Sequence, residues 1–141
     1  ANGDIDSPEK ARQVLDHTGA TGVMIGRAAQ GRLWLPGLIA QSLSQGVAVQ
    51  PCTDERFDIL RRHIRHLHAF HGAIVGYKIA RKHVNWFLEA EVGQDCRALR
   101  ASFNALPSPD AQEAFLRGHK GFIFELIRRA EDGNTRTGLA A

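Results

Sequence analysis

One short apolar run, Gly22-Val23-Met24-Ile25-Gly26, constrains the fold more than any other feature of the chain. Glycine bounds and a core of Val, Met and Ile predict a strand buried on both faces, as strands are in parallel sheets. Such a strand needs neighbours, and at most one other is visible, ending just ahead of Asn2-Gly3-Asp4. Between them Ser7-Pro8-Glu9 predicts a helix start: Ser caps, Pro suits the first helical position and Glu suits the dipole. Ala11, Val14 and Leu15 give that helix one apolar face, and Gly19 ends it. The order loop, helix, strand, Gly-rich turn, helix is the alternation of an α/β fold. Two strands are too little sheet to stand alone, so the first fifty residues read as a piece of something larger. The chain has 141 residues, one ordinary domain's worth, whereas a complete (β/α)8 barrel takes about 200–250.

Beyond a linker at 46–53, which contains Pro51, only helical periodicity is present. Thr53 caps a helix whose Phe57, Leu60, Ile64 and Leu67 recur at spacings of three and four. Gly72 ends it. A second helix over about 74–90 carries Tyr77, Ala80, Val84 and Phe87 on one side. A third, short helix from near Asp95 carries Leu99, Phe103 and Leu106. Ser108-Pro109-Asp110 starts a fourth, with Phe115, Phe122, Leu126 and Ile127 as its core stripe. Gly118 and Gly121 within it mark either close helix packing or a bend. The tail from Asp132 is polar and reads as frayed. The expected class is mainly α, with a C-terminal antiparallel bundle of four helices.

A hydrophobic fraction of 43% against 23% charged permits a real core. There is no run of 18 apolar residues, so no membrane span is expected. The N-terminus has no signal-peptide pattern, and Ala1 in place of Met reads as a fragment or a processed product. Cys52 and Cys96 lie far apart outside any CxxC, which predicts two ordinary thiols in a reducing cytoplasm. The formal charge of +3 conceals its distribution: residues 56–83 hold seven Lys/Arg against Asp58, a local +6, leaving the remainder at −3. Such a stripe fits a polyanionic partner, nucleic acid first, or else a solvated helix face. Five of the seven histidines share this window. His63, His66, His68 and His71 are spaced three, two and three, without the i, i+4 pairing of a helical zinc site, so no metal is expected.

Asn2-Gly3-Asp4 and Gly26-Arg27 both follow the C-terminal ends of predicted strands, where α/β folds place ligands. Glycine lets backbone approach a phosphate, and Arg27-Ala28-Ala29-Gln30 is expected to open a helix whose first N–H groups, with the guanidinium, would suit an anion. Taken alone, the same pattern fits a strand-to-helix turn that needs glycine.

Three motifs in order carry a resemblance: Asn2-Gly3-Asp4-Ile5, then Gly26-Arg27-Ala28-Ala29-Gln30-Gly31, then Ile79-Ala80-Arg81-Lys82-His83 with Trp86 nearby. Together they resemble the C-terminal part of bacterial tRNA-dihydrouridine synthases, most closely the B-type subfamily, from the first residue to about Glu131. The resemblance implies an FMN-binding (β/α)8 TIM barrel followed by a helical domain, and NADPH-driven reduction of a tRNA uridine to 5,6-dihydrouridine. It implies that residues 1–50 are the barrel's last βα portion and 51–141 the helical tRNA-binding domain. Asn2, Gly3 and Asp4 would contact FMN after barrel strand seven, and Gly26 and Arg27 would hold its phosphate. The family's catalytic cysteine and a flavin-contacting lysine lie earlier in the barrel, and neither Cys52 nor Cys96 matches that position. The chain is therefore expected to contribute binding rather than catalysis.

Against that background Lys78, Arg81, Lys82 and Asn85 share one helix face, with His83 beside them in the motif. Arg61, Arg65 and His68 form a similar stripe on the preceding helix. Two antiparallel helices are expected to merge the stripes into one patch that contacts tRNA phosphates, with partly protonated histidines in support. Phe87 continues an apolar stripe and reads as core; Trp86 is less determined. Two other readings remain: a non-enzymatic helical nucleic-acid-binding module, which leaves the glycine loops unexplained, and another FMN-dependent barrel oxidoreductase, which leaves the basic helices unexplained. Neither the target uridine nor the oligomeric state is legible.

Overall fold

The computed structural model describes residues 1–138. It is mainly helical, with α1 (Pro8–Thr18), α2 (Leu35–Gln45), α3 (Thr53–Val92), α4 (Arg97–Asn104), α5 (Pro109–Gly118) and α6 (Lys120–Gly138). Single 3-10 turns occupy Arg27–Ala29 and Gly93–Cys96. The run 22–26 forms one isolated parallel bridge, Met24 to Asn2, and no longer strand exists among the described residues. The Met24 N–H donates to the Ala1 carbonyl at 2.8 Å. The Ala1 ammonium donates to the Gly22 carbonyl at 2.6 Å. Two neighbouring chain segments thus take a parallel register, but no sheet surrounds them and Met24 is exposed, so the run is not the strand buried on both faces that the sequence predicts.

Local signals set the helix ends. The Ser7 side chain accepts the Lys10 N–H, and Gly19 closes α1 in the left-handed conformation. Ser108 caps α5 in the same way through the Ala111 N–H. The cap of α3 sits one residue earlier than predicted, at Cys52, whose N–H is taken by the Glu55 carboxylate at 2.8 Å. Straight, the 40 residues of α3 would reach about 60 Å at 1.5 Å per residue. Gly72, at φ 74° and ψ 174°, instead breaks α3 into two arms, 53–71 and 73–92. The arms fold back closely: a Cβ at Gly76 would lie 2.8 Å from the His68 Cα. This is the break that the sequence places at Gly72.

The main core joins both arms to α4, α5 and α6 through Phe57, Leu60, Ile64, Val84, Phe87 and their neighbours. A smaller cluster holds Ile5, Ala11, Leu35 and Ile39 together. Trp34 belongs to the main core although it precedes the 46–53 stretch; its ring meets Phe87 edge-on at 6.3 Å. Residues 1–50 are therefore seated on the helical body.

Three expectations are corrected. The fourth helix is two, α5 and α6, broken at His119, so the glycines attend a bend rather than close packing: a Cβ at Gly118 or Gly121 would touch nothing within 4 Å. The break resets the helical phase, which turns Ile123, Leu126 and Ile127 inward and leaves Phe122 exposed. The stretch from Asp132 continues α6 to Gly138, and residues 139–141 lie outside the described residues. No helix among the described residues is long and apolar enough to cross a membrane.

Candidate functional site

Two surfaces gather the residues singled out by sequence. The first is an open cavity of about 710 Å³. All five predicted cofactor residues line it, Asn2, Gly3 and Asp4 from one loop and Gly26 and Arg27 from the other, together with Met24. The parallel bridge explains the convergence, because it brings both loops to the same end of two adjacent segments. Asp4, at φ 42°, is the one non-glycine residue with positive φ among those described. Its carboxylate pairs with the exposed Arg27 guanidinium at 2.8 Å. A Cβ at Gly3 or Gly26 would meet no protein atom within 4 Å, so both glycines leave the cavity floor open to close approach. The helix expected at Arg27 is only a three-residue 3-10 turn, and the regular helix begins at Leu35. Anion binding here therefore rests on the guanidinium and turn amides, not on a helix dipole.

The second is a groove of about 520 Å³ between arm 73–92 and α4. Lys78, Arg81, Lys82, Asn85 and Trp86 line it from the arm, and Arg100 and Asn104 from α4. Glu89 closes one end through an ion pair to Arg100 at 2.7 Å. Arg81 donates to the Leu106 carbonyl at 3.1 Å and lies over the Tyr77 ring. Lys82 lies 5.7 Å from the centre of the Trp86 ring. Neither Lys78 nor Lys82 forms an ion pair with any described residue. The sequence reading missed Arg100 and Asn104, although their i, i+4 spacing beside the apolar pair Leu99 and Phe103 was available as a signal.

Arg61 and Arg65 do not line that groove. Both turn to Glu113 on α5, and Arg61 is largely buried in that pair. His68 also faces α5, where the fully buried Gln112 meets its Nε2 at 2.9 Å and donates to the Tyr77 carbonyl. The preceding stripe thus ties the hairpin to α5.

His83 packs against His63, with Nδ1 and Nε2 3.1 Å apart, and edge-on to Trp86. Burial first, then the neighbouring His63 and Lys82 charges, push His83 down to about 4. Burial and His66 lower His63 as well. Both are neutral near pH 7, so the expected cationic support from these two is absent. Stability present above pH 6.5 should fall as the pH drops toward 4, because the unfolded chain binds more protons. Half-exposure limits this to about 1–2 kcal/mol. Urea unfolding at pH 7 and 4.5 checks it: the loss should shrink in His63→Gln/His83→Gln, and an undiminished loss would disprove the assignment.

Cys96 is buried and donates to the Gly93 carbonyl, while Cys52 is exposed at the start of α3. Neither lines the first cavity. Among the described residues no group of three or more His, Cys, Asp or Glu side chains is placed to hold a metal ion.

The family model for dihydrouridine synthase matches residues 1–123. The chain is 50% identical to tRNA-dihydrouridine synthase B of Pseudomonas putida across its whole length, covering 40% of that relative. It is 46% identical to the protein of the same name from Vibrio cholerae over 84% of the chain and 37% of the relative. For the Salmonella typhimurium protein the figures are 47%, 79% and 35%. The chain spans about 40% or less of the length of the curated relatives it matches, and it belongs to the dihydrouridine synthase family.

Proposed function

We propose that this chain is the tRNA-gripping and part of the FMN-phosphate-binding portion of a flavin-dependent tRNA-dihydrouridine synthase. The observation that carries the reading is the segregation of charge. Arg56, Arg61 and Arg65 are committed to ion pairs within the fold, whereas Lys78 and Lys82 stand at a groove without one among the described residues. The relatives' names supply the RNA class. Lysines of this kind suit RNA phosphates, which give affinity without reading sequence.

The first cavity fits the phosphate end of FMN. Arg27 would exchange part of its Asp4 contact for a phosphate, Gly3 and Gly26 would admit it closely, and Asn2 would offer a carboxamide beside the flavin. When bound, FMN reduced by NADPH would supply a hydride to one carbon of the uracil double bond, the other carbon taking a proton. Asp4 holds Arg27 at the cavity before phosphate arrives, which preorganises the cation. Neither thiol stands at this cavity, so proton donation is assigned to no residue of the chain, and residues 1–50 contribute as part of a TIM barrel. The chain is proposed to act in the cytoplasm.

Titrating the 141-residue chain with tRNA in filter binding tests the reading. Affinity should fall steeply with salt. Lys78→Glu/Lys82→Glu should weaken binding about tenfold or more and flatten the log–log salt slope by about two. Unchanged affinity and slope in that variant would remove the tRNA assignment from this face.

A further inference from the structure

We infer that the tip of the α3 hairpin, around Phe70, is a stacking platform for one unpaired base of the RNA. The inference rests on the RNA reading above and deepens it. Its basis is an aromatic ring that the fold leaves in solvent. Phe70 is 85% exposed, the most exposed large apolar side chain among the described residues. Ile74 at 73% and Val75 at 49% flank it across the Gly72 turn, and the His71 ring meets it edge-on at 4.9 Å. Apolar surface gathered at one place in solvent marks a face that a partner covers. The turn is also stiff. Gly72 takes φ 74°, and at Gly76 the arms approach so closely that a Cβ would lie 2.8 Å from the His68 Cα. A ring held on a rigid turn loses little freedom when its partner arrives.

The surrounding charge selects the partner. Residues 59–88 contain six Lys/Arg and no Asp or Glu. Among the described residues only Glu113 forms ion pairs with this stretch, at Arg61 and Arg65. Arg62 and Lys78 are exposed and outside those pairs, and they bracket the tip. Arg62 lies two turns before Phe70 on the same face, while Ile74, Lys78 and Lys82 follow one another at i, i+4 spacing. The second row runs from the tip into the lysine-lined groove. A polyanion with planar apolar faces suits both features: its bases stack on aromatic rings of any sequence context, and its phosphates take the cations. The base has to be unpaired, because only a splayed base offers its face. Residues 1–50 do not cover the tip. Gly31 approaches α3 at Trp86 and Ala90, and Trp86 is about 18 Å along the arm from Ile74 at 1.5 Å per residue.

The probes are a single-stranded RNA hexanucleotide and an abasic ribose-phosphate hexamer of equal charge, each titrated into the 141-residue chain. The base-bearing hexamer should bind about tenfold more tightly. Phe70→Ala should erase that preference while keeping the abasic affinity, and Phe70→Tyr should retain it. Arg62→Glu should weaken both probes. In Phe70→Trp the added indole fluorescence should be quenched by the base-bearing probe only. Phe70 lies outside the core, so these variants keep the fold. Equal affinity for the two probes, or a preference that survives Phe70→Ala, overturns the platform. So does Phe70→Ala that spares RNA binding yet abolishes attachment to phosphatidylglycerol vesicles or self-association, which would give the tip to a membrane or to a second copy. In each of these cases the tRNA face stands if Lys78→Glu/Lys82→Glu still weakens tRNA binding. Failure to bind the hexamers and tRNA alike defeats both.

Discussion

Gly31→Ala should lower the melting temperature by about 10 °C or more, an effect far beyond that of an ordinary surface substitution. Gly31 sits at φ 82°, where a side chain is strained, and two further costs add to this. A Cβ there would lie 2.3 Å from the Trp86 carbonyl oxygen and 2.7 Å from its carbonyl carbon, with the Ala90 Cβ at 3.1 Å. The obstructing atoms are backbone in the middle of a packed arm, so they cannot swing aside. Relief requires residues 1–50 to lift off the helical body, and Trp34, three residues on, would lose its place against Phe87. Gly19→Ala is the control: its φ of 65° carries the same conformational penalty, but a Cβ there touches nothing. Thermal unfolding of the two variants separates strain from collision. If both melt within about 2 °C of each other, the Gly31–Trp86 contact does not hold the segments together.

The consequence for the proposed function is that the loop cavity and the lysine-lined groove are mechanically joined. Gly31 and Trp34 follow directly on the Gly26-Arg27 loop, and Trp86 lies in the groove itself. A sequence boundary near residue 50 separates the two units by composition, yet the contact that couples them lies twenty residues earlier. Nothing local in Gly31-Arg32-Leu33-Trp34 announces a partner in arm 73–92, because the pairing is long-range.

Other features were legible for physical reasons that can be named. Ser-Pro starts, the Gly72 break and the heptad-like core of arm 53–71 are local signals, and each appears where the chain spells it. Convergence of Asn2-Gly3-Asp4 and Gly26-Arg27 was also readable, since α/β topology puts loop ends together. The break at His119 was half readable: Gly118 and Gly121 signalled a bend or close packing without choosing between them, and one step of helical phase exchanged Phe122 for Ile123 in the core. The basic stripe was half readable. Spacing placed Arg61 and Arg65 on one face, but Glu113 lies on another helix, and only the fold reveals that both turn to share it. Similarly, the histidine count suggested added positive charge, whereas burial first, and neighbouring positive groups second, lower both His63 and His83.

Arg56→Met should cost about 3–5 kcal/mol at pH 7, because it strands a buried carboxylate. Arg56 and Glu91 side chains are 12% and 10% exposed and meet at 2.8 Å. Arg56 also reaches Glu131, the Pro51 carbonyl and the Thr53 hydroxyl, and lies over the Trp34 ring. It therefore fastens the start of α3 to the end of its second arm and to residue 34. Even with this partner, burial raises Glu91 above its ordinary value, outweighing the pull of Arg56. A raised carboxylate favours the protonated form in the folded state. Its contribution is present below the unfolded value of about 4.5 and is lost as pH rises through the folded one. Removing Arg56 raises Glu91 further, so the deficit should be large at pH 7 and small at pH 4. Arg56→Met/Glu91→Leu should recover most of the loss at pH 7, since no charge is then left buried. Urea unfolding of both variants at the two pH values decides the matter. An equal deficit at pH 4 and 7, or a double variant no more stable than the single, would mean that packing of the Arg56 stem on Trp34, rather than charge pairing, holds this junction.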